Sequence, residues 1–106
     1  MALRVVVRPA ARRDIDLHFA YLTEKAGIEI ARRFRDAARD TFAELGNMPS
    51  LGVERKTGSF RNVRMWRVRG FEKYLVFYTQ LDVLLRVERI IHAALDYTQV
   101  LGHEKI

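Results

Sequence analysis

The chain has 106 residues and 49% hydrophobic content, which excludes an intrinsically disordered protein and predicts a single domain over residues 1–106. It contains no cysteine, so disulfide frameworks, thiolate metal sites and thiol nucleophiles are excluded. The N-terminus has no apolar run followed by a cleavage site, and no stretch is long and apolar enough to span a membrane. We therefore expect a cytoplasmic protein.

The net charge of +6 is concentrated in one segment of the chain. Between Arg55 and Lys73 there are seven basic residues and one acidic residue, which alone give +6, while the rest of the chain has twelve of each sign. A local basic surface suits contact with an acidic protein or a nucleic acid. The simpler alternative is a solvated strand face.

The N-terminal half predicts one strand and two helices. Leu3 to Arg8 is rich in β-branched residues and is ended by Pro9. Apolar residues then recur at three- and four-residue steps on either side of Gly27, which predicts two helices joined almost without a linker. The residues that share these apolar faces are Ala11, Ile15, Phe19, Leu22 and Ala26 in the first helix and Ile28, Ala31, Phe34, Ala38, Phe42 and Leu45 in the second.

The C-terminal half predicts a loop followed by three strands. Residues Pro49 to Gly58 form the loop, and Phe60 to Val68 form a strand. Tyr74–Thr79 and Val83–Ile91 are apolar strands joined by a tight turn, so one face must be covered by the helices. The order βααβββ predicts an α+β fold, with the helical hairpin packed on one face of a small antiparallel sheet and the N-terminal strand beside it.

Five segments, in this order, resemble the RelE/ParE toxin superfamily of type II toxin–antitoxin modules. They are P-A-A-R-R-D-I-D-L-H-F-A-Y-L, M-P-S-L-G, F-R-N-V-R-M-W-R-V, Y-L-V-F-Y and R-V-E-R-I-I-H-A-A-L-D-Y. The resemblance covers about Val5 to Leu101 and implies the same order of elements. It also implies a cognate antitoxin with a DNA-binding N-terminal part and a C-terminal segment that wraps the toxin.

Two branches of this superfamily differ in chemistry. RelE-type members cleave messenger RNA on the ribosome with an arginine and further basic or aromatic residues, and the aligned positions here are Leu75 (or Tyr74), Ala93 and Gln99. These positions lack the expected residues, although Tyr97 lies two residues before Gln99. The resemblance therefore favours the ParE branch, whose members poison DNA gyrase and are not known as nucleases. A ribosome-dependent mRNA endonuclease is the alternative.

The resemblance and the basic segment together define two sets of expected binding residues. The set expected to bind the target is Arg61, Arg64, Trp66, His92 and Tyr97, and the set expected to bind the antitoxin is Leu17, Tyr21, Tyr74 and Tyr78. A structural role is the alternative for the aromatic residues and for His92, as core packing or as the end of a strand.

No catalytic, metal or cofactor site is expected. The three histidines have no ligand spacing, and the two nearby acids Asp14 and Asp16 project to different sides of a helix. We expect nucleic acid to be contacted only through the target complex, and no membrane partner.

Overall fold

A computed structural model describes residues 2–57 and 60–95, without the side chains of residues 57, 60 and 61. The described part of the chain contains no helix that is long and apolar enough to cross a membrane. The elements in chain order are β1 (Arg4–Val7), α1 (Pro9–Ala26), α2 (Ile28–Asn47), a 3₁₀ turn (Pro49–Leu51), β2 (Val53–Thr57), β3 (Phe60–Val68), β4 (Phe71–Gln80) and β5 (Leu84–His92).

The predicted helical hairpin is confirmed. Pro9 is the first residue of α1, where its missing N–H costs no hydrogen bond. Gly27 separates the helices with φ of 98°, a conformation that side chains disfavour, and its N–H bonds to the carbonyls of Leu22 and Thr23. The chain can therefore reverse direction at one residue, which brings α2 alongside α1.

The sheet has the strand order β1-β5-β4-β3-β2. The three predicted strands of the C-terminal half are confirmed, and β2 to β5 pair in antiparallel fashion. However, β1 is parallel to β5, from Arg4 opposite Leu84 to Val7 opposite Val87. The sheet is therefore mixed rather than antiparallel throughout, because the N-terminal strand joins it beside the last strand of the chain.

The prediction of a loop from Pro49 to Gly58 is wrong. Residues Val53–Thr57 form β2, a fifth strand that pairs with β3. Its sequence V-E-R-K-T has one apolar residue and three charged ones, so it lacks the pattern of a half-buried strand. Because β2 lies at the edge of the sheet, its charged side chains can stay in water while its backbone pairs on one side.

The main core lies between the helical hairpin and one face of the sheet, as predicted. Phe34 of α2 is fully buried at its centre, with its ring 5.4 Å from that of Phe71 and 4.8 Å from that of Tyr74. A smaller cluster of Val63, Phe77 and Ile91 belongs to the opposite face. Ala26 and Ile28 are exposed where the helices reverse, so they are not core residues.

The buried stripe of α1 differs from the predicted one by about one residue. Its buried members are Ala11, Asp14 and Leu22, whereas Ile15 and Phe19 are only partly buried. The centre of the stripe therefore passes through Asp14, an acidic residue.

Beyond the end of β1, Asp14 and His18 of α1 form hydrogen bonds with the backbone of β5. β1 ends opposite Val87, and the Ile90 N–H then donates to Asp14 Oδ2 at 2.9 Å. His18 Nε2 donates to the Ile90 carbonyl at 2.8 Å. Arg89 donates to the Asp14 carboxylate through Nε at 2.7 Å and Nη2 at 3.0 Å. Side chains of α1 thus replace a strand and fix the helix against the end of β5.

A second buried carboxylate, Glu88, lies at a bulge of β5. The pairing passes from Val87 opposite Tyr78 to Arg89 opposite Phe77, so Glu88 has no opposite residue in β4. Its carboxylate bonds to Arg8 at 3.0 Å and to Arg86 at 2.7 Å. These two cations compensate for removing a carboxylate from water.

Candidate functional site

An apolar groove lies between α1 and the last residues of β5. Its volume is about 460 Å³, and it opens to solvent. The residues that line it are Leu17, His18, Tyr21, Tyr74, His92, Ala94 and Leu95. We call this surface the α1 groove.

One wall of the α1 groove is an exposed row of α1. Arg13, Leu17, Tyr21 and Lys25 follow each other at four-residue steps, so they lie along one side of the helix. Leu17 is 68% exposed and Tyr21 is 55% exposed, although both are large and apolar. The row therefore presents an apolar pair between two cations. Such a surface is suited to an apolar segment that carries carboxylates at its ends.

The floor of the groove is Tyr74, held between two imidazoles. The rings of His18 and His92 each lie 4.9 Å from the Tyr74 ring and nearly perpendicular to it. Burial raises the pKa of the Tyr74 phenol, and the neighbouring Tyr21 raises it further. Tyr74 is therefore a neutral phenol between two imidazoles at neutral pH.

The turn after β5 forms the other wall. The Ala93 N–H donates to the Lys73 carbonyl at 2.6 Å, which continues the pairing of β4 and β5 by one residue. The Ala94 N–H donates to His92 Nδ1 at 3.0 Å, and the Leu95 N–H donates to the His92 carbonyl at 3.0 Å. His92 thus closes the turn twice, and the turn places Leu95 at the mouth of the groove.

Three of the four residues expected to bind the antitoxin meet in the α1 groove. Leu17 and Tyr21 come from α1, and Tyr74 comes from β4. Tyr78 does not join them because it is fully buried in the main core. A side chain without exposed surface cannot contact a partner, so Tyr78 is not part of the proposed antitoxin-binding surface.

Tyr78 holds the turn before β2 in place. Its hydroxyl donates to the Pro49 carbonyl at 2.6 Å and accepts from the Gly52 N–H at 2.8 Å. Burial raises the pKa of Tyr78, while the Gly52 N–H and the charge of Arg64 oppose that rise. Gly52 has no room for a side chain, since a Cβ there would lie 2.5 Å from the Tyr78 hydroxyl.

The described residues among those expected to bind the target, Arg64, Trp66 and His92, are not gathered at one place. Arg64 donates to the Gly52 carbonyl at 2.6 Å and pairs with Glu54 at 3.3 Å. Trp66 is partly buried against the main core, with the Arg67 guanidinium 4.6 Å from its ring centre. The Arg61 side chain and Tyr97 lie outside the described residues.

The strand register separates Arg64 from His92. Arg64 is opposite Tyr78 of β4, and His92 is opposite Tyr74, four residues away and on the other side of β4. With a rise of about 3.3 Å per residue and a strand spacing of about 4.8 Å, their Cα atoms are roughly 16 Å apart. His92 instead shares the α1 groove with the residues expected to bind the antitoxin.

A second groove lies on the other side of α1, between the two helices. Its volume is about 470 Å³, and its apolar floor includes Val7, Ile15 and Phe42. Arg12, Arg35 and Arg39 also line it, together with Asp16. The second groove therefore combines apolar residues with cations, whereas the cations Arg13 and Lys25 lie at the ends of the helical row beside the α1 groove.

Neither groove contains a recognisable metal centre. Within residues 2–57 and 60–95 there is no group of three or more histidine, cysteine, aspartate or glutamate side chains that could hold a metal ion.

Comparisons with known proteins identify the family. Residues 5–97 match the model for the ParE toxin of the type II toxin–antitoxin system parDE. The fold is similar to a solved structure described as the chromosomal ParDE TA system from P. aeruginosa, with a TM-score of 0.72 and 14% sequence identity over 86% of this chain and 96% of the other. No curated protein matches the chain. Since the family model covers most of its length, the chain belongs to the ParE toxin family of type II toxin–antitoxin systems.

Proposed function

We propose that this ParE toxin inhibits DNA gyrase by binding it in the cytoplasm, and that a cognate antitoxin neutralises the toxin by binding in the α1 groove. Membership of the ParE family supports the first part. The observation that carries the second part is the exposed apolar pair Leu17 and Tyr21, flanked by Arg13 and Lys25.

The proposed occupant of the groove is an acidic, amphipathic segment of the antitoxin. Burying a large apolar side chain contributes roughly 1.5–3 kcal/mol, so covering Leu17 and Tyr21 provides the main attraction. Carboxylates on the segment would meet Arg13 and Lys25 at the ends of the row, which favours rapid and correctly oriented encounter. The arginines of the second groove give the same complementarity across α1.

Two aligned positions, Leu75 (or Tyr74) and Ala93, support binding, rather than RNA cleavage, as the mode of action. Leu75 packs in the apolar cluster of the opposite sheet face, and Tyr74 forms the floor of the α1 groove. Ala93, at the position aligned with a basic residue of the nucleases, has no functional group. A nuclease of this type needs cationic groups close to the scissile phosphate and a base for the 2′-hydroxyl. The separation of Arg64 from His92 argues against such a cluster.

Expression in a sensitive bacterial host tests this proposal. Induction of the toxin alone is expected to arrest growth and to induce the DNA damage response while protein synthesis continues at first. Co-expression of the protein encoded beside the toxin gene is expected to restore growth. Growth arrest with immediate loss of translation, cuts in translated messages and no DNA damage response would instead support the endonuclease alternative.

A further inference from the structure

The wall of the α1 groove formed by the turn after β5 depends on an unprotonated nitrogen. His92 Nδ1 accepts the Ala94 N–H at 3.0 Å, so this nitrogen carries no proton and the neutral ring has its proton on Nε2. In the imidazolium form both ring nitrogens carry protons, and neither can accept. Protonation of His92 therefore removes the hydrogen bond that fixes Ala94.

The loss of this bond acts directly on the groove. Ala94 and Leu95 both line it, and the His92 ring itself contacts Tyr74 on its floor. Protonation would leave the turn with the bond from the Leu95 N–H to the His92 carbonyl.

We propose that His92 is a pH-sensitive latch of the antitoxin-binding groove. Neutral His92 holds the turn and the groove in the binding-competent form, and protonated His92 weakens antitoxin binding. This inference rests on the proposed function, because it takes the antitoxin as the occupant of the α1 groove. Imidazole is the side chain suited to such a role, since it changes charge between about pH 5 and 8.

In the part of the chain that the structure describes, the titratable groups near His92 are His18 and Tyr21 from α1 and Lys73 and Tyr74 from β4. On its own strand, Arg89 precedes it by three residues. Arg89 is paired with Asp14. Within the described part of the chain, no carboxylate forms an ion pair with His92.

His18 is a matched comparison in the same groove. Its Nε2 donates to the Ile90 carbonyl at 2.8 Å, and Nε2 can donate in both the neutral and the protonated ring. The bond from His18 to the Ile90 carbonyl is therefore compatible with both forms of the ring. The two imidazoles contact the same tyrosine, but only His92 needs an unprotonated ring nitrogen for its hydrogen bond.

Two substitutions distinguish the effect of His92 on antitoxin binding from that of His18. In His92→Asn, the amide oxygen can accept the Ala94 N–H in place of Nδ1 and does not titrate. In His18→Gln, the amide nitrogen can donate to the Ile90 carbonyl in place of Nε2 and does not titrate. The probe is the antitoxin encoded beside the toxin gene, and its association constant with each toxin is measured calorimetrically from pH 7.5 to pH 5.5.

The wild-type toxin and His18→Gln are expected to lose roughly tenfold in association constant between pH 7.5 and pH 5.5, as one linked imidazole proton produces. His92→Asn is expected to keep its affinity at pH 5.5 within about twofold of that at pH 7.5. The full pH dependence in His92→Asn would overturn the latch, and so would its loss in His18→Gln alone.

A measurement on the free toxin distinguishes failure of the latch from failure of the proposed function. In NMR spectra, the Ala94 amide resonance is expected to shift with pH together with the His92 ring resonances, and to stay constant in His92→Asn. An Ala94 amide that does not follow His92 would overturn the latch whether or not the antitoxin binds. Absence of antitoxin binding at every pH would instead contradict the proposed function.

Discussion

Replacement of Leu17 by glutamate is expected to weaken antitoxin binding by about 100-fold or more while the toxin remains folded. Leu17 is 68% exposed, so the fold does not depend on it. In the complex, the substitution removes roughly 1.5–3 kcal/mol of apolar burial and places a carboxylate in a groove that an acidic segment covers. About 2.7 kcal/mol corresponds to a 100-fold change in the dissociation constant. Calorimetric titration with the antitoxin measures the change in the dissociation constant.

Val83→Glu is the matched control for this experiment. Val83 is 75% exposed and lies in the turn between β4 and β5, at the other end of these strands from the α1 groove. The same change of an exposed apolar side chain to a carboxylate is expected to leave antitoxin affinity within about twofold of the wild type. Equal losses in both variants, or no loss in Leu17→Glu, would contradict the assignment of the α1 groove.

Replacement of Asp14 by alanine is expected to lower the free energy of unfolding by about 3–5 kcal/mol. The substitution leaves the Ile90 N–H without its acceptor and removes the carboxylate that Arg89 contacts through two nitrogens. Removing one partner of a buried ion pair destabilises the fold by more than the intact pair stabilises it, because the remaining groups stay desolvated. Urea denaturation measures the change through the midpoint and slope of the transition.

Asp16→Ala and Asp14→Asn are the controls. Asp16 is exposed on the same helix, and its removal is expected to change the free energy of unfolding by less than about 0.5 kcal/mol. Asp14→Asn keeps an oxygen for the Ile90 N–H and is expected to cost less than Asp14→Ala. If Asp14→Ala were no more destabilising than Asp16→Ala, Asp14 would not be what fixes α1 to β5.

The helices and the three long strands could be predicted because their signals are local. The step of three or four residues in α2 places Ala31, Phe34 and Ala38 on one face, and all three are buried. Gly27 and Pro9 mark helix ends through their own backbone restrictions.

The charged core residues could not be predicted with the same rules, because their partners are distant in sequence. Asp14 bonds to Arg89 and Glu88 bonds to Arg8, and the two members of each pair come from opposite ends of the chain. One signal was present for Asp14, since it falls in line with Ala11, His18 and Leu22 at three- and four-residue steps.

The α1 groove was predictable in its residues and not in its arrangement. Leu17, Tyr21 and Tyr74 were expected to bind the antitoxin, and His92 was expected to bind the target. Their meeting depends on the pairing of Tyr74 with His92 and on the packing of α1 against the end of β5. Tyr78 shares a strand face with Tyr74, yet it lies deep under the turn before β2. Periodicity assigns a face of a strand but not the depth of a residue along it.

Binding to DNA gyrase is the proposed mode of action of this ParE toxin. For the most direct test, the purified toxin is incubated with gyrase, ATP and plasmid DNA, and the protein is then denatured before electrophoresis. Linear, gyrase-cleaved plasmid is expected to accumulate as toxin is added, and antitoxin is expected to prevent this in proportion to its binding in the α1 groove. Unchanged gyrase activity, together with discrete cuts in messages translated in the presence of the toxin, would contradict this mode of action.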